Sequence, residues 1–251
     1  SDAQRLIDAG GQALAGGQTL LASMKQRLAN PEQLVDLSHV ADLQGVCQEG
    51  SSLVIGAMTR HQDVANSAEV RSAIAALAEL AGQIGDRQVR AMGTLGGSLA
   101  NNDPNADYPA AALGLGATII TNKRRIAADD YFQGMFTTAL EPNEIIVKVS
   151  FPLVKKAGYQ KFKHPASGFP MVGVMVSKRG SDIRVAVTGA GANGVFRVKA
   201  FEEALKKRFS PKSIEGMSVP ADGMSSDIHA SAEYRAHLIG VMARRALADA
   251  K

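Results

Sequence analysis

Three clusters of glycine constrain this chain more than any other feature of its sequence. They lie at residues 10–17, 93–97 and 189–194. Because glycine has no Cβ, segments rich in it are typical of turns where the backbone approaches another group closely. The sequence therefore predicts three such approaches, and each cluster is a candidate binding segment.

The first cluster leads into a strand–turn–helix pattern. A short strand is predicted at 12–15, and a helix begins near Thr19 or Leu20. Between them, Gly16 and Gly17 leave the backbone N–H groups accessible, so the turn and the start of the helix are able to bind a diphosphate without a lysine. An ordinary turn with Thr19 as the helix N-cap is the alternative.

The second cluster lies in residues 93–103, where small residues, hydroxyls and side-chain amides stand together with almost no bulk. Such a segment suits a loop that wraps a polar ligand with backbone donors, and a glycine-rich surface loop is the alternative. Two segments of this kind in one short domain favour a single ligand held between them.

The third cluster matches the G-x-G-x-x-G pattern at 189–194 and follows a predicted strand at 183–188. A dinucleotide-binding fingerprint requires a helix that opens within the motif. Here residues 195–198 have strand-like composition, and the helical pattern begins only near Lys199. The pattern therefore disfavours a Rossmann site, and an NAD(P)-dependent dehydrogenase that uses these glycines is kept as the alternative function.

Up to Pro152 the pattern predicts a hairpin around Glu49-Gly50, a helix near 70–82 and a loop-rich stretch at 83–106, and after Pro152 the pattern changes. Three strands with short connections, predicted to be antiparallel, are followed by helices at 199–208 and 232–249. Residues 1–153 hold 11 basic and 16 acidic residues, a net charge of −5, whereas residues 154–251 hold 17 and 8, a net charge of +9. We predict two domains, 1–153 and 154–251. The basic residues are scattered with few aromatics between them, which favours a solvated or subunit-facing surface over a nucleic-acid interface.

Several function classes find no support in the sequence. Cys47 is the only cysteine, so this chain alone cannot build an iron–sulfur or four-cysteine zinc site; we expect Cys47 to be inert core. The five histidines lack metal-ligand spacing, and the acidic pair Asp129-Asp130 is expected on a solvated face. We predict no catalytic residue and no metal ligand. Neither a signal peptide nor an apolar run of about 20 residues is visible, so a cytoplasmic protein without a membrane span is expected.

Segments along nearly the whole chain carry a family resemblance. They are residues 14–20, 24–25, 27–29, 34–37, 55–59, 84–86, 88–90, 93–101, 103–104, 106–110, 159–162, 166–167, 171–174 and 232–235. In this order they resemble the FAD-binding medium subunit of the molybdenum hydroxylases, the carbon monoxide dehydrogenase type that is related to the FAD domain of xanthine dehydrogenase. The family pattern begins upstream of Ser1, so we expect a trimmed N-terminus.

The resemblance implies an α+β fold: an FAD-binding domain of the vanillyl-alcohol-oxidase type, followed by a small domain with an antiparallel sheet and helices. It implies that FAD is held without a covalent bond between the first two glycine segments. Ile84 falls at the position that packs on the adenine, Asp107 at the acidic position that hydrogen-bonds the cofactor, and Lys161 and Phe169 near the isoalloxazine edge. The implied cofactor contacts are Leu14, Ala15, Gly16, Gly17, Gln18, Thr19, Leu20, Ile84, Thr94, Leu95, Gly96, Gly97, Ser98, Asp107, Lys161 and Phe169. Ser98, where some relatives have Asn, and Pro170 depart from the pattern.

The resemblance also implies an oxidoreductase subunit that transfers electrons. A large molybdopterin subunit would oxidise the substrate, and a small subunit with [2Fe–2S] clusters would pass electrons to the FAD of this chain. An external acceptor would then receive them. The assembly would be a dimer of heterotrimers. The sequence identifies neither the substrate nor the acceptor, and a flavin-free scaffold subunit is a third possibility.

Overall fold

The computed structural model of the protein describes residues 2–251. The helices are α1 (Asp2–Asp8), α2 (Leu20–Lys25), α3 (His61–Asn66), α4 (Ala68–Ala73), α5 (Ala75–Gly82), α6 (Arg87–Met92), α7 (Leu95–Asn101), α8 (Tyr108–Leu115), α9 (Ala128–Tyr131), α10 (Lys199–Lys207) and α11 (Ala232–Asp249), with 3₁₀ turns at Ala41–Leu43 and Pro211–Ile214. The strands are β1 (Gln12–Leu14), β2 (Leu34–Asp36), β3 (Val46–Glu49), β4 (Ser52–Gly56), β5 (Thr118–Thr121), β6 (Arg125–Ala127), β7 (Phe132–Gly134), β8 (Thr137–Thr138), β9 (Ile146–Pro152), β10 (Lys156–Lys163), β11 (Pro170–Arg179), β12 (Asp182–Thr188) and β13 (Phe196–Arg197).

The first half of the chain is built around a five-stranded antiparallel sheet with the order β3-β4-β9-β5-β6. The predicted hairpin at Glu49-Gly50 joins β3 to β4. Ile55 on β4 and Ile119 on β5 both lie opposite Val149 of the central strand β9, and all three side chains are fully enclosed. This row of β-branched side chains forms one face of the core, because such residues pack well on a pleated surface. A separate parallel pair, β1 and β2, carries the first glycine turn.

The second half contains the predicted antiparallel sheet, with the order β10-β11-β12-β13. Helices α10 and α11 cover one face of it, and the other face contacts α8. All eight residues of α8 are buried, so this apolar helix lies between the two sheet systems. Gly114 permits the contact, because a Cβ there would lie 2.7 Å from the Cγ of Met175 on β11.

Ion pairs also join the two halves. Asp129 binds Arg184 at 2.7 Å and Arg197 at 2.9 Å. Although partial burial opposes ionisation, the hydrogen bonds from these guanidinium groups hold the pKa of Asp129 below its usual value. Asp129 is exposed, as expected, but it is also paired with two arginines from a distant part of the sequence, which the sequence pattern did not indicate.

Three expectations differ from the structure. The stretch 83–106, predicted as loop, contains α6 and α7, because Asp86 and Thr94 accept hydrogen bonds from the N–H groups of Val89 and Gly97 and cap these helices. The helix predicted at 70–82 is interrupted at Ile74. Cys47 is exposed, since β3 is the edge strand of its sheet.

Phe136 is an aromatic residue in the left-handed backbone region, with φ of 54°, and its side chain is 57% exposed. The carbonyl of Asn102 accepts the N–H of Phe136, and the Asn102 amide donates to the carbonyls of Gly134 and Thr137 at 2.8 Å. A left-handed conformation costs a residue with a Cβ roughly 1–2 kcal/mol.

We therefore expect Phe136→Gly to stabilise the chain by about 0.5–1 kcal/mol, after the entropy cost of glycine in the unfolded state is subtracted. Urea denaturation measures this difference. Arg27→Gly is the matched control. Arg27 also has a left-handed φ, of 60°, but no aromatic side chain, so this variant measures the relief of backbone strain without the loss of aromatic contacts. A lower midpoint for Phe136→Gly would show that the aromatic contacts outweigh the strain.

Candidate functional site

A cavity of about 720 Å³ opens where the first two glycine segments meet. Its walls come from the turn after β1, from α7, from the turn after α5 and from residues 103–107. Leu140 and Ile145 line one wall, and Phe169 contributes from the β10–β11 connection. The cavity is therefore formed by residues of both predicted domains.

The turn after β1 provides a row of unoccupied hydrogen-bond donors. Within residues 2–251, no acceptor takes a hydrogen bond from the backbone N–H groups of residues 16–20. Gly17 has a φ of 70°, which bends the chain so that successive amides lie along one turn. Consecutive free amides of this kind form concave anion-binding sites. This turn is thus suited to a phosphate group.

The second glycine segment differs from the expectation of a ligand-wrapping loop, because it is the beginning of α7. The N–H of Leu95 donates to the carbonyl of Thr59 at 3.1 Å, and the N–H of Gly96 donates to the carbonyl of Ala57 at 2.8 Å. The N–H of Gly97 is taken by the hydroxyl of Thr94. These donors are therefore occupied by the chain itself, and the segment offers the cavity a small, close-fitting surface.

The glycines bring the two segments into contact. A Cβ on Gly16 would collide with the carbonyl oxygen of Met92 and lie 2.8 Å from the Cα of Gly93. A Cβ on Gly96 would lie 2.5 Å from that of Ala57. Each distance is too short for a real contact, so these positions require glycine. The cavity lies beside this contact.

His61 lines the cavity, and the sequence analysis did not predict it as a site residue. Its backbone N–H donates to the carbonyl of Gly93, and its ring packs on Tyr108 with centroids 5.3 Å apart. Only 5% of His61 is exposed, and its Nδ1 is enclosed without a hydrogen-bond partner. Burial, with a smaller contribution from the charge of Arg90, lowers the pKa of His61 to about 4. The cavity wall here is consequently a neutral imidazole, and a lone histidine gave no pattern that would have predicted it.

Asp107 is enclosed by residues of β10. Its carboxylate accepts hydrogen bonds from the Tyr159 hydroxyl at 2.7 Å and from Lys161, whose Nζ lies 2.9 Å from Oδ1. Both side chains of the Asp107–Lys161 pair are almost completely shielded from solvent. Burial opposes both charges, so it raises the pKa of Asp107 and lowers the pKa of Lys161.

The cavity brings together most of the residues that the resemblance singled out. Those that line it are Ala15, Gly16, Gly17, Gln18, Thr19, Leu20, Ile84, Thr94, Gly96, Gly97, Ser98, Asp107 and Phe169. Leu14, Leu95 and Lys161 do not line it. The sequence reasoning missed His61, Asn101 and Asp103 as lining residues, although the last two belong to the small, polar run at 93–103.

The third glycine segment packs against its own chain. A Cβ on Gly189 would overlap the carbonyl oxygen of Pro170, and one on Gly191 would lie 2.5 Å from the carbonyl oxygen of Gly194. The segment leads into strand β13, not into a helix. These features do not provide the helix N-terminus that a dinucleotide fingerprint needs.

Residues 2–251 contain neither a candidate metal site nor a candidate membrane-spanning helix. In this part of the chain, His, Cys, Asp and Glu side chains do not gather in groups of three or more that could hold a metal ion. The described helices also lack the combination of length and apolar character that a membrane crossing requires.

Comparison with known families assigns both halves of the chain. Residues 1–154 match the FAD binding domain in molybdopterin dehydrogenase, and residues 157–250 match the CO dehydrogenase flavoprotein C-terminal domain. The chain therefore belongs to the flavoprotein family of the molybdopterin dehydrogenases. This confirms the predicted two-domain α+β organisation.

Individual relatives place the chain more narrowly. It is 34% identical to the carbon monoxide dehydrogenase medium chain of Hydrogenophaga pseudoflava, over 93% of this chain and 87% of that one. It is 35% identical to the nicotine 6-hydroxylase medium subunit of Paenarthrobacter nicotinovorans, over 97% and 90%. The solved carbon monoxide dehydrogenase of H. pseudoflava superposes with a TM-score of 0.85 at 33% identity, over 98% and 92%. The chain is thus an FAD-binding medium subunit of the molybdenum hydroxylase type, an oxidoreductase component.

The residues present fit this cofactor. FAD carries a diphosphate, and the row of unoccupied amides at 16–20 is of the kind that binds one. The glycine contacts keep side chains out of the same turn, and the cavity walls at Ile84 and Phe169 are apolar, as flat ring systems require.

Proposed function

We propose that this chain transfers electrons within a larger complex, taking them from [2Fe–2S] clusters of a partner subunit and passing them to an external acceptor. The observation that carries the proposal is the row of free backbone amides at 16–20 beside a cavity of about 720 Å³. The cavity holds a neutral His61 and a paired Asp107, and we assign it no residue that reacts with substrate. The substrate pocket is assigned to a partner chain.

In this proposal the amides at 16–20 bind the FAD diphosphate, and the Ser98 hydroxyl lies on the opposite wall. Ile84 packs on the adenine, and Phe169 borders the isoalloxazine. Bound FAD supplies the redox chemistry, whereas the protein supplies binding, orientation and exclusion of water. The neutral imidazole of His61 forms part of the cavity wall and places no further charge beside the diphosphate.

The proposed partners are a large molybdopterin-binding subunit and a small iron–sulfur subunit, assembled as a dimer of heterotrimers. The relatives are named as a medium chain and a medium subunit, which supports a multi-subunit assembly. The net charge of +9 in residues 154–251 is compatible with docking to acidic partner surfaces. A cytoplasmic location and a domain boundary at 153/154 stay predictions.

Purification of the native assembly through a tag on this chain tests the proposal. We expect molybdenum, iron and FAD to co-purify. Removal of FAD should leave reduction of the iron–sulfur clusters by substrate intact and stop reduction of the external acceptor, and added FAD should restore it. Acceptor reduction that continues at the same rate without FAD would refute the electron-transfer role.

A further inference from the structure

Residues 103–107 form a wall of the cavity that belongs to the first half of the chain but is held by the second. The Thr188 hydroxyl donates to the carbonyl of Ala106 at 2.6 Å, and the carbonyl of Pro104 lies 3.0 Å away as its alternative acceptor. The backbone N–H of Gly189 donates to the same Pro104 carbonyl at 2.8 Å. The position of this wall therefore depends on the β12 end of the second sheet.

Lys161 holds the other end of that wall. From β10 it reaches Asp107, with Nζ 2.9 Å from Oδ1 and 3.1 Å from Oδ2. The same ammonium group donates to the backbone carbonyl of Gln83 at 2.9 Å. Its donors are thus directed at two segments of the first half of the chain, and its side chain has no exposed surface.

The Gln83 carbonyl is the start of a second cavity wall. Ile84, the next residue, lines the cavity, and its own carbonyl accepts a hydrogen bond from Arg90 at 2.9 Å. A Cβ added to Gly168, beside Phe169 in the β10–β11 connection, would lie 3.5 Å from the Gly85 carbonyl oxygen. Lys161 therefore contacts two of the walls that shape the cavity, one through Asp107 and the other through Gln83.

We propose that Lys161 is a positioning residue for the cofactor: through Asp107 and the Gln83 carbonyl it fixes two walls of the cavity, and it does not itself touch the flavin. This inference rests on the proposed binding of FAD in the cavity. It assigns Lys161 a role different from the isoalloxazine contact that the family resemblance suggested.

The chemistry of a buried ion pair makes the two roles separable. Removing one partner leaves an uncompensated charge in a place without water, which is strongly unfavourable. Replacing both partners with neutral side chains of similar shape removes both charges and is often tolerated. A direct contact between Lys161 and the flavin would be lost in either case.

The experiment compares Lys161→Met, Asp107→Asn and the double variant in the full chain. The FAD dissociation constant is measured by flavin fluorescence, and the absorption spectrum of each holoprotein is recorded. We expect each single variant to weaken FAD binding at least about tenfold. The double variant, which lacks an uncompensated buried charge, should bind FAD at least about threefold more tightly than Lys161→Met. The double variant should keep the wild-type flavin spectrum. Lys156→Met, which changes an exposed lysine at the far end of the same strand, is the matched control and should leave FAD binding unchanged.

Three results would overturn the inference: single variants with wild-type affinity, a double variant as weak as Lys161→Met, or a shifted flavin spectrum in the double variant. If the single variants do not fold, as judged by circular dichroism, FAD binding by the double variant and by Tyr159→Phe tests the inference instead. The latter removes only one hydroxyl donor to Asp107 and should weaken FAD binding about two- to fivefold, and unchanged binding would count against the inference. A wild-type chain that binds no FAD would instead refute the proposed function.

Discussion

Gly16→Ala is expected to raise the FAD dissociation constant at least about 100-fold, although it adds a single methyl group. The new Cβ would overlap the carbonyl oxygen of Met92 and approach the Cα of Gly93 to 2.8 Å. Both neighbours are backbone atoms, so the conflict cannot be relieved by rotating a side chain. The two glycine segments would have to separate, and the row of amides at 16–20 would move away from the cavity.

Gly82→Ala is the matched control. Its Cβ would find only Ala65 at 3.8 Å, and the residue lies in helix α5. We expect unchanged FAD binding and a change in stability below about 0.5 kcal/mol, because Gly82 is the last residue of the helix, where the preference for alanine counts less than in the interior. Fluorescence titration of both variants measures the difference. Wild-type affinity in Gly16→Ala would mean that contact between the two segments does not shape the binding site.

The second large effect is a loss of stability between pH 7 and pH 5. Burial lowers the pKa of His61 to about 4, whereas an unfolded chain has a histidine pKa near 6.5. Between these values the unfolded chain binds the proton and the folded chain does not. The stabilising contribution is complete above pH 6.5 and is lost as the pH falls towards 4. The expected loss is about 2 kcal/mol at pH 5.

Urea denaturation of the apoprotein at pH 7 and pH 5 measures this effect. His61→Phe keeps a ring against Tyr108 but removes the titrating group, so its stability should change much less between the two pH values. His237→Gln removes an exposed histidine and should keep the wild-type slope. Glu144 does not interfere, because hydrogen bonding to Arg124 lowers its pKa to about 2 and confines its effect to a more acidic range. An equal slope in wild type and His61→Phe would exclude His61 as the source.

The sequence predicted the elements whose pattern is local. The hairpin at Glu49-Gly50, the three antiparallel strands of the second half and the long helix α11 all have signals within a few residues. The turn at 16–17 was predicted equally well, because paired glycines between a strand and a helix strongly favour a turn. Local hydrophobic period and turn chemistry were sufficient for these features.

The features that the sequence did not reveal depend on distant partners. Helix α7 is rich in glycine and reads as loop, but the Thr94 cap and the carbonyls of Ala57 and Thr59 hold its first turn. Asp129 finds its arginines far along the chain, and Cys47 is exposed because β3 is an edge strand. No local pattern reports such contacts, since tertiary packing decides them.

The central claim is that the turn at 16–20 binds the diphosphate of FAD, and a comparison of two ligands tests it most directly. The full wild-type chain is titrated with FAD and with riboflavin, which has the same isoalloxazine but lacks both the diphosphate and the adenosine. Competition by adenosine alone measures the part of the difference that comes from the adenine. Hydrogen bonds to a charged group contribute roughly 1.5–3 kcal/mol each, so FAD should bind with one-to-one stoichiometry and at least about 100-fold more tightly than riboflavin. Equal affinity for the two ligands, or no binding of FAD, would contradict the account.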